Sequence, residues 1–430
     1  MHIFISGVGA GTGPLAVLAH QAGFSVSASD KQDNEYVEYV RKQGVDVHIG
    51  QSKESIAAVH AQKPIDWLVH SSAVTRENMD HPELLFAAES DIRVSKRDEF
   101  IQHFLEVTDQ KMVAIAGTHG KSTTTAMAVW LCQQIGLPVS YLVGAKMPFA
   151  DAGHYDKNAE YFVYEADEYD RNFLSFSPFM SLISGIGYDH PDIYPTQDDY
   201  NQAFQQFIGQ SEWTIAHQAD LQRLKIDQDR QIFAPDSKLD DAFTLIGQVN
   251  RDNAKLVVQG VSELAKQPYD KLVDRMNQFP GLSRRFEQIV TNVYSDYAHT
   301  PEKIQGAIQI AREFIEVNMA NEAKLAIVYE GLHNTRQHFI KDELPTLFAE
   351  ADKLYIVPSY RAREDESLED LTPEKLCQLI ADPADSQPMQ LDQNLNDTIQ
   401  AHAATGGLVL CLSAGGGNSL DEWLRATFKR

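Results

Sequence analysis

Cysteine is nearly absent from this 430-residue chain: Cys132, Cys377 and Cys411 stand far apart. That excludes a disulfide framework and any close-spaced cysteine metal site, and it points to free thiols in a reducing, cytoplasmic setting. Positive charge is also scarce. Lys and Arg number 37 against 61 Asp and Glu, a net charge of −24, which argues against broad binding to nucleic acid or an anionic membrane. A local nucleotide site survives that argument, because phosphates are held by N–H groups, lysine and metal rather than by overall charge. No apolar run is long enough to span a bilayer. The first residues, Met1-His2-Ile3-Phe4-Ile5-Ser6-Gly7, have no basic segment ahead of the apolar one, so they read as a first strand and not as a secretory leader. There is no convincing internal repeat and no low-complexity segment.

A strict G-x-G-x-x-G dinucleotide fingerprint is missing too. Counted from Gly7 the last glycine position is Thr12; counted from Gly9 it is Pro14. What remains is a chain too long for one core, which predicts two to four domains. Residues 1–107 alternate short apolar strands with helical patterns. Ile3-Phe4-Ile5, a glycine-rich turn, a helix over Leu15–Ala22 and a strand over Phe24–Ser29 form a βαβ start to a doubly wound parallel sheet. Asp30 ends that second strand, where it either binds a ribose or uracil edge or caps the next helix. Residues 108–279 hold two more buried strands, Tyr161–Tyr164 and Met180–Ile186, delivering Glu165-Ala166-Asp167-Glu168 and Tyr188-Asp189-His190-Pro191-Asp192. Residues 280–430 form a third α/β unit after the turn Pro280-Gly281.

The strongest chemical signal is Ala114-Ile115-Ala116-Gly117-Thr118-His119-Gly120-Lys121-Ser122-Thr123. An apolar strand feeds a helix through glycines, which aims several N–H groups and the positive end of the helix dipole at one spot. Lys121 can then reach β- and γ-phosphates and Ser122 can ligate Mg²⁺. The Walker pattern is incomplete, since Ile115 stands at its early glycine position. Glu165 and His190 follow parallel strands, at the sheet edge where open α/β folds bind ligands, and suggest metal-assisted phosphoryl transfer. Glu165, Asp167 and Glu168 cannot all be ligands; the others are solvated or repel one another unless a cation sits among them.

In order along almost the whole chain, these residues resemble the Mur ligases. Gly7-Val8-Gly9 and Ser71-Ser72-Ala73 are similar to the family's UDP-binding turns, and Gly117–Thr123 to its ATP loop. Glu165-Ala166-Asp167-Glu168-Tyr169-Asp170 and Asp189-His190 resemble its metal motifs. Gly247-Gln248-Val249-Asn250-Arg251-Asp252-Asn253-Ala254 resembles its adenine element, while Arg284-Arg285-Phe286-Glu287 and Asp296-Tyr297-Ala298-His299-Thr300-Pro301 resemble the start of its last domain. The resemblance implies three domains: a Rossmann-like UDP-sugar domain (1–107), a central P-loop ATPase-type domain (108–279) and a C-terminal Rossmann-like α/β domain (280–430).

It also implies the activity. ATP would phosphorylate the carboxylate of UDP-N-acetylmuramate to an acyl phosphate, which an amino group then attacks to leave an amide. By this analogy Lys121 stabilises the transferred phosphoryl group, and Ser122, Glu165 and His190 hold Mg²⁺. Asn250, Asn253, Arg285 and Asp296 contact the nucleotide. Gly7, Gly9, Asp30, Ser71, Ser72 and Ala73 face the UDP-sugar. Tyr297, His299, His333 and Arg336 face the acceptor. L-alanine is the implied acceptor and a monomer or weak homodimer the implied state. Three departures stand out: Val249 and Thr300 each replace a family histidine, and His333 replaces an arginine used for the amino-acid carboxylate. A histidine is a pH-dependent substitute for a guanidinium fork. The runner-up is a ligase that recycles a preformed tripeptide onto UDP-N-acetylmuramate. Readings from other classes are a non-catalytic UDP-sugar or ATP sensor, opposed by intact Lys121, Ser122, Glu165 and His190, and a nicotinamide oxidoreductase, opposed by the broken fingerprint.

Overall fold

Apolar runs flanked by glycine turns become buried parallel strands, and the amphipathic segments between them become the crossover helices. The computed structural model describes residues 1–71, 74–75, 78, 80–190, 192–320, 322–360, 365, 367–381, 385–413 and 418–428. The chain is α/β, and its described residues form three sheets. The first contains β1 (His2–Ser6), β2 (Ser25–Asp30), β3 (Asp46–Ile49), β4 (Trp67–His70) and β5 (Arg93–Lys96), all parallel in the order β3-β2-β1-β4-β5. The order reverses direction at β1, which sets a crevice beside its carboxyl end.

The second sheet has β6 (Lys111–Ala116), β7 (Val139–Leu142), β8 (Gly153–His154), β9 (Tyr161–Glu165), β10 (Met180–Ile183), β11 (Trp213–Ala216) and β12 (Ile232–Phe233), in the order β12-β11-β10-β6-β9-β7-β8. Among the described residues only the β7–β8 pair of this sheet is antiparallel. In the third sheet, β13 (Glu287–Val290), β14 (Val293–Asp296), β15 (Leu325–Leu332), β16 (Lys353–Tyr360), β17 (Ser386–Pro388) and β18 (Leu408–Leu412) lie in the order β13-β14-β18-β15-β16-β17. Among the described residues its antiparallel pair is β13–β14 and the other strand pairs are parallel.

The chain divides into two compact units, Met1–Phe243 with Asp252–Pro280, and Thr244–Arg251 with Gly281–Arg430. In the first unit the first and second sheets share one apolar core. Leu15 and Val17 of the helix Gly13–Gln21 belong to it, as do Phe100 and Phe104 of the helix Arg97–Thr108, together with Phe162 and Tyr164 of β9. Phe104 packs edge-on against Tyr155, with ring centroids 5.8 Å apart. A side chain at Gly153 would meet Pro14 O at 2.4 Å, so β8 approaches the first helix backbone to backbone. The second unit has a core on each face of its sheet, one around Ile304, Ile327 and Phe348, the other around Val293, Val409 and Leu424. Among the described residues no helix is long and apolar enough to cross a membrane.

Candidate active site

The carboxyl ends of β6, β9 and β10 lie side by side: Ile115 pairs with Glu165, and Ala116 with Ile183. From this edge the chain leaves β6 through Gly117 (φ +146°) and Gly120 (φ +78°) and enters the helix Lys121–Gln134. Both glycines are required. A Cβ at Gly117 would meet Ser184 Oγ at 2.5 Å and Gly185 O at 2.9 Å; one at Gly120 would meet Asn253 Oδ1 at 2.9 Å. Thr118 pins the loop by donating its N–H to Gly185 O (2.8 Å), while its hydroxyl lies 2.7 Å from Tyr200 OH and accepts from Gly187 N–H (2.9 Å). His119 O accepts from Ser184 Oγ (2.5 Å). Gly120, the N-cap, has no side chain to cap the helix, which Lys121, Ser122 and Thr123 open; the N–H groups of a first helical turn have no partner within the helix and point toward its N-terminal end.

Two oxygen–nitrogen clusters flank the loop. In the first, Ser122 Oγ donates to Glu165 Oε1 (2.9 Å), whose Oε2 accepts from Gly144 N–H (2.9 Å). In the second, Lys121 Nζ donates to Gly117 O (2.8 Å) and to Glu168 Oε2 (2.5 Å), with Asp167 Oδ1 at 3.8 Å. His190, in the left-handed region at φ +58°, brings Nε2 to 3.7 Å from Glu168 Oε1. Burial opposes a charge on Lys121, but Glu168 and Asp167 outweigh it and hold the ammonium above its ordinary pKa. Burial likewise opposes ionisation of Glu168, yet Lys121 and His190 bring it down to about 2. Lys121, Ser122 and Glu165 are therefore gathered at one loop. His190 joins them through Glu168, which the sequence reading left undecided among three carboxylates, and it has no direct bond to Glu165. Among the described residues no three His, Cys, Asp or Glu side chains converge as a ready-made metal cage. The Ser122 hydroxyl and the Glu165 carboxylate, 2.9 Å apart, form the kind of two-oxygen set a hard cation uses while keeping most of its waters.

Asn253 is buried beneath Gly120, and its Oδ1 has no hydrogen-bond partner among the described residues. Asn250 belongs to the second unit, where its Nδ2 donates to Ile246 O (2.8 Å).

At the carboxyl edge of the first sheet, Gly7 turns at φ +84°, and a side chain there would lie 2.8 Å from Ser71 Oγ. Gly9 N–H donates to Thr12 Oγ1 (3.2 Å), with open space where its Cβ would be. Asp30 Oδ2 accepts Val8 N–H (2.7 Å), so it braces the glycine turn; Asn34 caps the next helix instead. Ser72 and Ala73 lie outside the described residues. Sequence reasoning passed over Glu83. This carboxylate is fully buried, its Oε2 accepting from Ser6 Oγ (2.5 Å) and Ser29 Oγ (2.9 Å). Gln51 Nε2 donates to Ser6 Oγ (3.3 Å), and His81 meets Gln51 Oε1 at 3.3 Å. Burial pushes the Glu83 carboxyl up to about 7, against the pull of the two hydroxyls. In the sequence Glu83 reads as an ordinary acidic residue in the first turn of the helix Pro82–Glu89, with nothing to mark its burial.

In the second unit, Arg285 Nη1 donates to Tyr297 O (3.0 Å), the Arg284 guanidinium lies 4.5 Å from the centre of the Tyr297 ring, and the rings of Tyr297 and His299 meet edge-on at 4.8 Å. Asp296 closes β14, accepts Phe286 N–H (2.7 Å), and is raised above its ordinary pKa by burial despite Arg285. His333 is the N-cap of the helix Asn334–Phe339, its Nδ1 3.4 Å from Arg336 N.

Residues 3–108 match the Mur ligase family catalytic domain, and residues 115–217 the Mur ligase middle domain. A UDP-N-acetylmuramate–L-alanine ligase of Syntrophomonas wolfei is 28% identical over 86% of this chain and 84% of its own. One from Clostridium perfringens is 25% identical over 96% and 94%. The fold is that of the UDP-N-acetylmuramate–alanine ligase of Thermotoga maritima, with TM-score 0.79 at 21% identity, covering 100% of this chain and 99% of that one. The murein peptide ligase of Psychrobacter arcticus follows at TM-score 0.65 and 21% identity, covering 100% and 98%.

Proposed function

The chain belongs to the Mur ligase family of ATP-dependent amide-bond ligases, and from that premise we propose that it joins L-alanine to the carboxylate of UDP-N-acetylmuramate through an acyl phosphate. The observation that carries the phosphoryl step is the Gly117–Ser122 loop, with Lys121 and the Ser122–Glu165 pair beside an uncapped helix start. The choice of substrates is supported by the relatives that span most of the chain and bear that activity's name.

In this reading the loop's N–H groups and Lys121 bind the β- and γ-phosphates and stabilise charge as the phosphoryl group passes to the muramate carboxylate. Ser122 and Glu165 would hold Mg²⁺, with His190 the ligand for a second ion, and the metal's chemistry is to neutralise phosphate oxygens. The amine then adds to the acyl carbon, and the tetrahedral intermediate expels phosphate. Most of the protein's contribution is positioning. Asn253 lies under the loop, so its role toward the nucleotide combines bracing Gly120 with any contact to the base. The acceptor-facing role read for Tyr297, His299, His333 and Arg336 belongs to the second unit.

The deciding assay is phosphate release with UDP-N-acetylmuramate, ATP and Mg²⁺ against a panel of amino acids and short peptides. Fastest turnover with L-alanine supports the reading. Faster turnover with a tripeptide transfers the function to the recycling ligase, the alternative that the murein peptide ligase fold match and the altered His333 keep in play.

A further inference from the structure

Of the four carboxylates in the run Glu165–Asp170, only Glu168 is buried. Its main chain is fixed before its side chain is considered. Glu168 O accepts Tyr194 OH (2.6 Å) and Arg171 N–H (3.0 Å), and the chain then turns through left-handed Asp170 (φ 55°) and Arg171 (φ 57°). Tyr194 and Tyr200 close over it, their rings 4.8 Å apart, and Tyr200 OH lies 3.5 Å from Oε1. The carboxylate that emerges from this clamp has a different partner on each oxygen: Lys121 Nζ at 2.5 Å on Oε2 and His190 Nε2 at 3.7 Å on Oε1. Gly117 O, at 2.8 Å, and Asp167 Oδ1, at 3.8 Å, complete the surroundings of that ammonium among the described residues.

We propose that Glu168 is a positioning residue for phosphoryl transfer, fixing the phosphate-loop lysine and His190 relative to each other through one clamped carboxylate. The inference rests on the ATP-dependent reading given above. In that reading ATP is held by the loop N–H groups as well as by Lys121, and among the described residues the Glu168 carboxylate bonds to Lys121 and not to those N–H groups. Charge developing in the transition state depends on where Lys121 stands. Loss of Glu168 therefore falls on turnover rather than on ATP binding.

Two variants separate position from charge. Glu168→Gln keeps the shape and removes the charge. Glu168→Asp keeps the charge and withdraws it by about one C–C bond, roughly 1.5 Å, and its retained ion pair guards against loss of the fold. Each is compared with the wild type in kcat, in ATP dissociation constant by calorimetry, and in melting midpoint. The expected result for both is a fall in kcat of at least about 30-fold, since misplacement by 1 Å costs on the order of 10²-fold, with the ATP constant within about threefold. The acceptor is whichever one the wild type turns over fastest, so a tripeptide preference overturns the L-alanine assignment and leaves this comparison intact. A folded Glu168→Asp with kcat within about threefold of wild type overturns the proposal. So does a loss expressed only in ATP affinity, or one that merely tracks a lowered melting midpoint.

Discussion

Replacing Glu83 by Gln should change how the protein's stability depends on pH. The carboxyl is fully buried against Ser6 and Ser29, and burial lifts it from 4.5 to about 7. Below pH 4.5 it is neutral in both folded and unfolded chains. Between 4.5 and about 7 the folded chain keeps a proton that the unfolded chain releases, so stability is lost as pH rises through that window. At about 1.4 kcal/mol per unit, a rise of that size is worth roughly 3 kcal/mol in all. Glutamine carries no such charge. Its amide does place a donor where Oε1 has no partner among the described residues, a cost that is constant with pH. The readout is therefore the difference between wild type and variant, in which histidines and other carboxylates cancel. Urea unfolding followed by tryptophan fluorescence suits this test, because Trp67 lies in β4 of the same sheet. From pH 5 to 8.5 the variant should gain most of that 3 kcal/mol on the wild type, near 1 M in urea midpoint for a slope of about 3 kcal/mol/M. Profiles that stay parallel within about 0.5 kcal/mol would show that Glu83 is ionised in the folded state, and the reasoning would fail.

Lys121→Ala should remove ligation, a loss of at least about 10²-fold in kcat. It should also destabilise by about 3–5 kcal/mol, because it leaves the buried Glu168 carboxylate without its ammonium partner; adding Glu168→Gln should restore the melting midpoint without the activity. Gly117→Ala should weaken ATP binding, since φ +146° and Ser184 Oγ at 2.5 Å force the loop to move; calorimetric affinity equal to wild type would count against the loop geometry. His190→Ala should lose activity that raised Mg²⁺ or Mn²⁺ partly restores, because losing a ligand lowers metal affinity more than it destroys the site; a deficit indifferent to metal would remove His190 from the ligand set.

The glycine loop ahead of the helix Lys121–Gln134 and the strands around it were legible in the sequence because both signals are local. Buried parallel strands are continuous apolar runs, and the glycines mark the turn. The division of labour between Glu165 and Glu168 was not legible. Glu165 ends β9 and Glu168 follows it by three residues, and what separates them is the left-handed turn at Asp170 and Arg171 and a hydroxyl from Tyr194, a residue 26 positions away from Glu168. Asp30 was ambiguous for the same reason. Capping and bracing call for the same side chain, and only the position of Asn34 four residues on decided that Asp30 braces Val8. Glu83 was invisible, because its burial depends on Ser6 and Ser29, which are brought to it by sheet order and not by sequence distance.

The apolar core that runs from Leu15 through Phe104 to Phe162 has a practical corollary for anyone who cuts this chain. Ending it near residue 107 would strip Phe104 of Tyr155 and Phe162, and would uncover the side of the first helix on which Gly153 rests. The 107-residue fragment would carry an aromatic wound where it should carry a surface, and would aggregate or borrow a partner. Ending at Pro280 leaves that core whole, although it also keeps Thr244–Arg251, which pack with the second unit. The smallest piece to try as a free-standing nucleotide binder is thus the first two sheets together, since neither sheet has a finished exterior of its own.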